Sequence, residues 1–191
     1  MMEKETSLNP QQSLNLIAEV ISQTRQNLKQ HGFIFLLWGW LLAIASILRF
    51  LLQTQTDFKF YFAPFPVLAA LGIITTVSYY SRSYRQTNET HLNYFIKSMW
   101  IVLAAGFIIT VFVSVYQKVE PFTYTLIIAG VGTLVTGMVM KFRPLLLGGI
   151  FFLASAVSSV FLPDVYKVLL HGVAIIIGYI IPGYLLKNTE E

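Results

Sequence analysis

The sequence predicts an all-α, polytopic membrane protein: six transmembrane helices behind an N-terminal amphipathic helix at the membrane interface. Three observations predict it. Charged residues are 12% of the 191 positions and hydrophobic ones 55%, against roughly 25% charged in soluble domains. The charges are unevenly spread, leaving six windows with none: Gln30–Leu48, Phe60–Ser81, Ser98–Gln117, Pro121–Met140, Pro144–Pro163 and Val168–Leu186. Each window approaches or exceeds the about 20 residues that carry a helix across a hydrocarbon core of about 30 Å. Finally, stretches such as Ile101–Ile109 and Val173–Gly178 are apolar on every side. Barrel strands would alternate, and a backbone in lipid must close its own hydrogen bonds, which continuous apolar runs do as helices.

Residues 1–30 form a separate, water-compatible piece. In Asn9-Pro10-Gln11-Gln12, Asn9 can cap, Pro10 suits the first helical position and Gln12 can reach back. Leu14, Ile17, Ile21 and Leu28 then recur at helical spacing, widened by Leu16 and Val20, opposite Asn15, Glu19, Gln23 and Gln26. That pattern is an amphipathic helix of about five turns, expected to lie on the membrane or to dock a partner. This start is polar and contains acids, so a cleaved secretory signal is not expected.

The bundle occupies 31–187, with spans at about 33–52, 64–81, 97–116, 122–140, 144–162 and 166–186, before a polar tail at 188–191. Trp38 and Trp40 lie in the first span, and Arg49 stands near its far end, where it can snorkel to headgroups. Prolines open the second, fourth and fifth spans (Pro64 and Pro66, Pro121, Pro144) and close the fifth (Pro163), where they cost little. Asp164 can cap the sixth. Pro182-Gly183 lies inside the last turns and is expected to kink or end that helix. Lys and Arg divide 9 to 4 between the loop sets when the N-terminus is inside. The positive-inside rule therefore puts both termini in the cytoplasm.

Chemistry-bearing residues are sparse. There is no Cys, which excludes thiolate metal sites, Cys nucleophiles and disulfides. His31 and His91 belong to one side and His171 to the other, too far apart for a metal or haem site; a contact of His171 with Asp164 is conceivable, though seven residues do not favour a direct pair. No carboxylate lies in any charge-free window, which argues against an ion-coupled carrier. Ser155, Ser158 and Ser159 have no base at matching depth, and no nucleophile elbow or zinc-protease motif is present. No catalytic, cofactor or metal residue is expected, and the basic residues, placed at segment edges, are not a nucleic-acid footprint.

Small residues instead recur four apart, at Gly72/Thr76, Gly106/Thr110/Ser114, Gly132/Thr136 and Ser155/Ser159, a spacing that lets helices approach closely. In Lys141-Phe142-Arg143-Pro144-Leu145-Leu146-Leu147-Gly148-Gly149, two cations sit at a tight inner turn and a Gly pair offers a close crossing. Lys141 and Arg143 are candidates, with Leu14, Ile17, Ile21 and Leu28, for contact with an acidic partner or anionic lipid. Trp38, Trp40, Pro144, Gly148, Gly149, Pro182 and Gly183 are candidates for packing or a helix break.

Asn15-Leu16-Ile17, Arg25-Gln26-Asn27-Leu28, Leu36-Leu37-Trp38-Gly39-Trp40, Lys141-Phe142-Arg143-Pro144 and Ile181-Pro182-Gly183-Tyr184 together resemble an uncharacterised bacterial family of small six-helix membrane proteins. Some of its members are encoded beside winged-helix regulators. The resemblance implies a bacterial inner-membrane location and a regulatory context. The expectation is a non-catalytic integral membrane protein, using its cytoplasmic face to contact a cytosolic regulatory protein or anionic lipid. Homodimerisation fits the surplus of small-residue stripes. The rival is a small transporter or channel for a neutral or apolar solute, and a weaker third option is an intramembrane enzyme.

Overall fold

The computed structural model describes residues 10–83 and 91–188, and for residues 10, 12–31, 82 and 83 the backbone alone. Every element in it is helical: α1 (Pro10–Gln55), α2 (Pro64–Ser83), α3 (His91–Tyr116), α4 (Phe122–Val139), α5 (Arg143–Ser159), α6 (Asp164–Ile175), a π turn (Ile176–Ile180) and α7 (Ile181–Asn188). Five segments are long and apolar enough to cross a membrane. The fifth in order, α5, has 17 helical residues and falls just short. Three consecutive i to i+3 bonds, from the N–H groups of Val160, Phe161 and Leu162, prolong it. With that tighter turn the segment reaches about 31 Å.

Successive segments run in opposite directions, and named contacts fix their registers. In α1 against the last segment, Gly32 faces Leu186, Gly39 faces Ile180 and Ser46 faces Gly172. In α4 against α5, Gly137 meets Leu146 at one end and Thr123 meets Ser159 at the other, 2.7 Å apart. The core runs between α1, α4, α5 and the last segment, around Phe35, Leu126, Leu145, Phe152, Ile175 and Tyr179. Helices α2 and α3 are peripheral, with 6% of each apolar window buried.

Three expectations change. The amphipathic stretch is not a separate element, since α1 runs without a break for 46 residues, about 69 Å. The composition changes near Gln30, but a backbone hydrogen-bond ladder does not depend on side-chain polarity. A lone Gly32 costs only about 1 kcal/mol in a helix. The side chains of Leu14, Ile17, Ile21 and Leu28 lie outside the described residues. The third segment begins at His91 rather than near Lys97. Pro182-Gly183 neither ends its helix nor stands alone as a break, for the chain widens into the π turn just before it and continues helically to Asn188. Pro182 has no N–H for the carbonyl of Gly178, four residues back. That carbonyl lies against Gly148, where a β carbon would come within 2.9 Å of it.

The glycine pair acts on two neighbours, because adjacent helical residues point about 100° apart. Gly148 faces the π turn, and Gly149 faces the α4 backbone at Leu134. Trp38 clamps α2, its ring lying 3.0 Å from where a Gly72 β carbon would be and its indole N–H donating to Thr76 Oγ1 at 3.2 Å. Trp40 is exposed and reaches the Tyr184 hydroxyl. Pro144 stands in the first turn of α5, as expected.

Helices α3 and α4 both end in a Schellman closure. In α4, Phe142 N–H returns to the Gly137 carbonyl and Lys141 N–H to Met138. In α3, Val119 N–H returns to Ser114 and Lys118 N–H to Val115. The left-handed position that glycine usually fills is a lysine in each case, Lys118 at φ 57° and Lys141 at φ 52°. A side chain there costs about 1–2 kcal/mol.

Replacing Gly149 or Gly137 with Ala drives a methyl into backbone, 2.6 Å from Leu134 N or 2.5 Å from Leu146 N. The expected loss is about 1–3 kcal/mol, read as a lower Tm in detergent. Gly106 has nothing within 4 Å, so Gly106→Ala is expected to leave Tm unchanged or raise it.

Candidate functional site

The end of the bundle away from the α4–α5 turn holds a buried polar cluster built from four parts of the chain. On α1, Ala45, Ser46 and Arg49 share one buried face, with Arg49 only 6% exposed. The loop after α3, turned by the Lys118 closure, brings Glu120 onto it. Arg49 Nη2 donates to both carboxylate oxygens, each at 2.6 Å. The guanidinium also lies over two rings, with its carbon 4.8 Å from the centroid of Phe122 and 5.4 Å from that of Tyr61. Both approaches are within cation–π range.

Beside it, His171 of α6 is buried. Its ring packs on Phe122 and Phe65, at centroid distances of 5.2 and 5.8 Å. Its Nδ1 is 3.0 Å from Ser46 Oγ. Ser46 in turn donates to the Leu42 carbonyl at 2.8 Å. A hydroxyl has one proton and a carbonyl can only accept, so the Ser46 oxygen is the acceptor from His171. That assigns a proton to Nδ1 of the imidazole.

The cluster ties α1, the loop before α2, the loop before α4, and α6 together. It is not fully satisfied. Arg49 Nε is buried without a partner among the described residues, and an unmade buried hydrogen bond costs about 1–3 kcal/mol. Glu120 engages Arg49 through a single nitrogen, not through the two-nitrogen fork that guanidinium and carboxylate can form.

On its other side Glu120 borders a cleft of about 260 Å³ lined by Lys118, Val119, Thr123, Tyr124, Val160, Asp164 and Lys167. Lys167 Nζ is 2.7 Å from Asp164 Oδ1. No group of three His, Cys, Asp or Glu able to hold a metal occurs among the described residues.

One sequence expectation is corrected here, and one contact left open is decided against, as its seven-residue spacing suggested. Arg49 does not snorkel outward but turns into the bundle, because the Glu120 carboxylate and two ring faces meet it there. His171 meets Ser46 rather than Asp164, whose own partner is Lys167. Lys141 and Arg143 are exposed at the opposite end and take no part in the cluster. Gly148, Gly149, Pro182 and Gly183 are buried packing positions away from it.

Sequence reasoning did not find this cluster. One signal was present: Ser46 and Arg49 lie three apart on α1, on one helical face, so a cation and a hydroxyl could point inward together. The partners are 71 and 125 residues away, and spacing along the chain does not reveal them. No family model matches the chain, and no curated protein or solved structure matches it.

Glu120→Gln leaves Arg49 buried with its charge uncompensated and is expected to lose about 3 kcal/mol of stability. The double variant Arg49→Met/Glu120→Gln removes both charges and is expected to regain most of that loss. Unfolding of both variants in detergent, read by Tm or by denaturant midpoint, checks the order.

Proposed function

We propose that this protein is an integral membrane protein of six helical spans with both termini on the cytoplasmic face, and that it serves as a non-catalytic regulatory or interaction component. Partner contact is assigned to the end that carries residues 10–31, Lys141 and Arg143. The carrying observation is the shape of α1. On the N-terminal side of Gly32 the helix continues for 22 residues of polar, patterned sequence, about 33 Å. Lys141, Arg143 and Lys187, all exposed, belong to this same end by helix direction. An amphipathic helical stretch at the same end as exposed cations suits docking to an acidic protein surface or anionic lipid. The regulatory setting rests on the family resemblance.

The membrane reading is supported by the periphery. Ile101, Val102, Ile108, Ile109 and Phe112 of α3, and Val67, Ile74 and Val77 of α2, are exposed. Exposed apolar area on this scale needs a non-aqueous neighbour. The hydroxyls in the core are engaged in packing. Thr133 and Thr136 donate to carbonyls of their own helix. Thr136 also accepts from Trp100, and Thr76 accepts from Trp38. The two tryptophan bonds hold helices together, and hydroxyls that donate within their own helix have no proton left for a solute, which favours the interaction reading over the transporter.

Two measurements test this. The protein has no native Cys, so single cysteines at positions 141 and 118 report topology without background. The expected result is labelling by a membrane-impermeant maleimide from opposite sides, and labelling from one side rejects the six-span arrangement. A photocrosslinking residue at Ile17 or Ile21 in native membranes is expected to give a discrete protein adduct that Lys141→Glu/Arg143→Glu weakens. Recovery of lipid adducts alone rejects a protein partner.

A further inference from the structure

We infer that the cleft beside Glu120 is a phosphodiester-binding site for the headgroup of one phospholipid, with Lys118 as its principal cation. The inference rests on the membrane-spanning reading, and it concerns the end of the molecule opposite the proposed partner-docking end.

Charge selects the ligand class. Around the cleft, Glu120 is neutralised by Arg49 at 2.6 Å and Asp164 by Lys167 at 2.7 Å. Lys118 has no charged partner among the described residues, so three cations face two carboxylates and one positive charge is left over. A phosphodiester carries one negative charge.

The surrounding backbone favours the same sign. Thr123 and Tyr124 are in the first turn of α4, Asp164 and Lys167 in the first turn of α6, and all four line the cleft. Each helix starts behind a proline, Pro121 or Pro163, with no side-chain cap. Tyr166 and Lys167 N–H are taken by the Pro163 carbonyl, which leaves the N–H groups of Phe122, Thr123, Tyr124, Asp164 and Val165 at two helix starts, with their positive dipole ends, bordering one cavity.

Size and setting select the source. A volume of about 260 Å³ lies below the roughly 300 Å³ at which pockets for drug-sized ligands begin, and suits a headgroup rather than an acyl chain. Exposed Tyr116, Tyr124, Phe161 and Tyr166 surround this end, as aromatic belts do at the membrane–water interface. A phospholipid held there would keep its chains along the apolar flank of Val160 and Val157, both exposed.

Lys118 can be tested without disturbing the fold, because it occupies a left-handed position that glycine accepts more readily. Delipidated protein would be titrated with dioleoylphosphatidylglycerol, with dioleoylglycerol as the phosphate-free control, and binding read by native mass spectrometry. The wild type is expected to hold one phosphatidylglycerol in preference to dioleoylglycerol. Lys118→Gly is expected to weaken that binding about tenfold at an unchanged or higher Tm, and Lys118→Arg to retain it. Equal phosphatidylglycerol binding by wild type and Lys118→Gly would overturn the site while leaving the membrane reading intact. Inorganic phosphate binding that depends on Lys118, with no preference for phosphatidylglycerol over dioleoylglycerol, would overturn the lipid source. A wild-type chain that stays folded and monomeric in detergent-free buffer would instead remove the membrane reading, and the inference with it.

Discussion

The backbones of α4 and α5 meet at Gly137 and Gly149, where a β carbon would strike main chain that cannot rotate away. Much of the fold follows from that contact. It sets the register in which Thr123 reaches Ser159. It also turns the neighbouring Gly148 toward the last segment, so that the Gly178 carbonyl can come in close. With that carbonyl accommodated, the chain can pass through a π turn ahead of Pro182 and stay helical. Tyr179, within the π turn, is then packed among Phe35, Trp100 and Phe152. Helices that span a membrane gain little from excluding water from one another, and in the proposed membrane setting close backbone approach and buried hydrogen bonds carry the specificity.

The polar cluster at the far end is a second joint of a different kind. The glycine contact joins helices that follow one another in sequence, whereas Arg49, Glu120, Ser46 and His171 join distant ones. Ionic pairs in an apolar interior lose much of their attraction to desolvation. Two aromatic faces around the Arg49 guanidinium offset part of that loss. The single-nitrogen grip on Glu120 and the idle Nε leave the pair short of its full hydrogen-bonding capacity.

What sequence reading could see was where the apolar segments lie along the chain. Charge-free windows and bounding prolines place six apolar segments close to where the helices stand, and the Gly148-Gly149 pair marks a close crossing. What it could not see was azimuth. A cation near a segment end reads as pointing to water by default, yet Arg49 faces inward because of a carboxylate 71 residues later. For His171 the sequence offered only Asp164 as a neighbour, yet the rotation of its helix places it against Ser46. The break expected at Pro182 follows a rule for regular helices, and a wider turn one step earlier absorbs the missing donor. Likewise the change of composition near Gln30 does not interrupt the helix, whose backbone ladder continues through it.

The unbroken course of α1 has a mechanical consequence. A hinge between the polar half and the apolar half would absorb any torque applied near residue 17. Here the hydrogen-bond ladder is continuous from Pro10 to Gln55, so rotating or tilting one half moves the other as a lever moves about its fulcrum. The far arm carries Ser46 and Arg49. A shift of a few degrees there would slide the guanidinium across the rings of Phe122 and Tyr61 and tug on the loop that bears Glu120. One uninterrupted helix thus joins the two ends of the molecule.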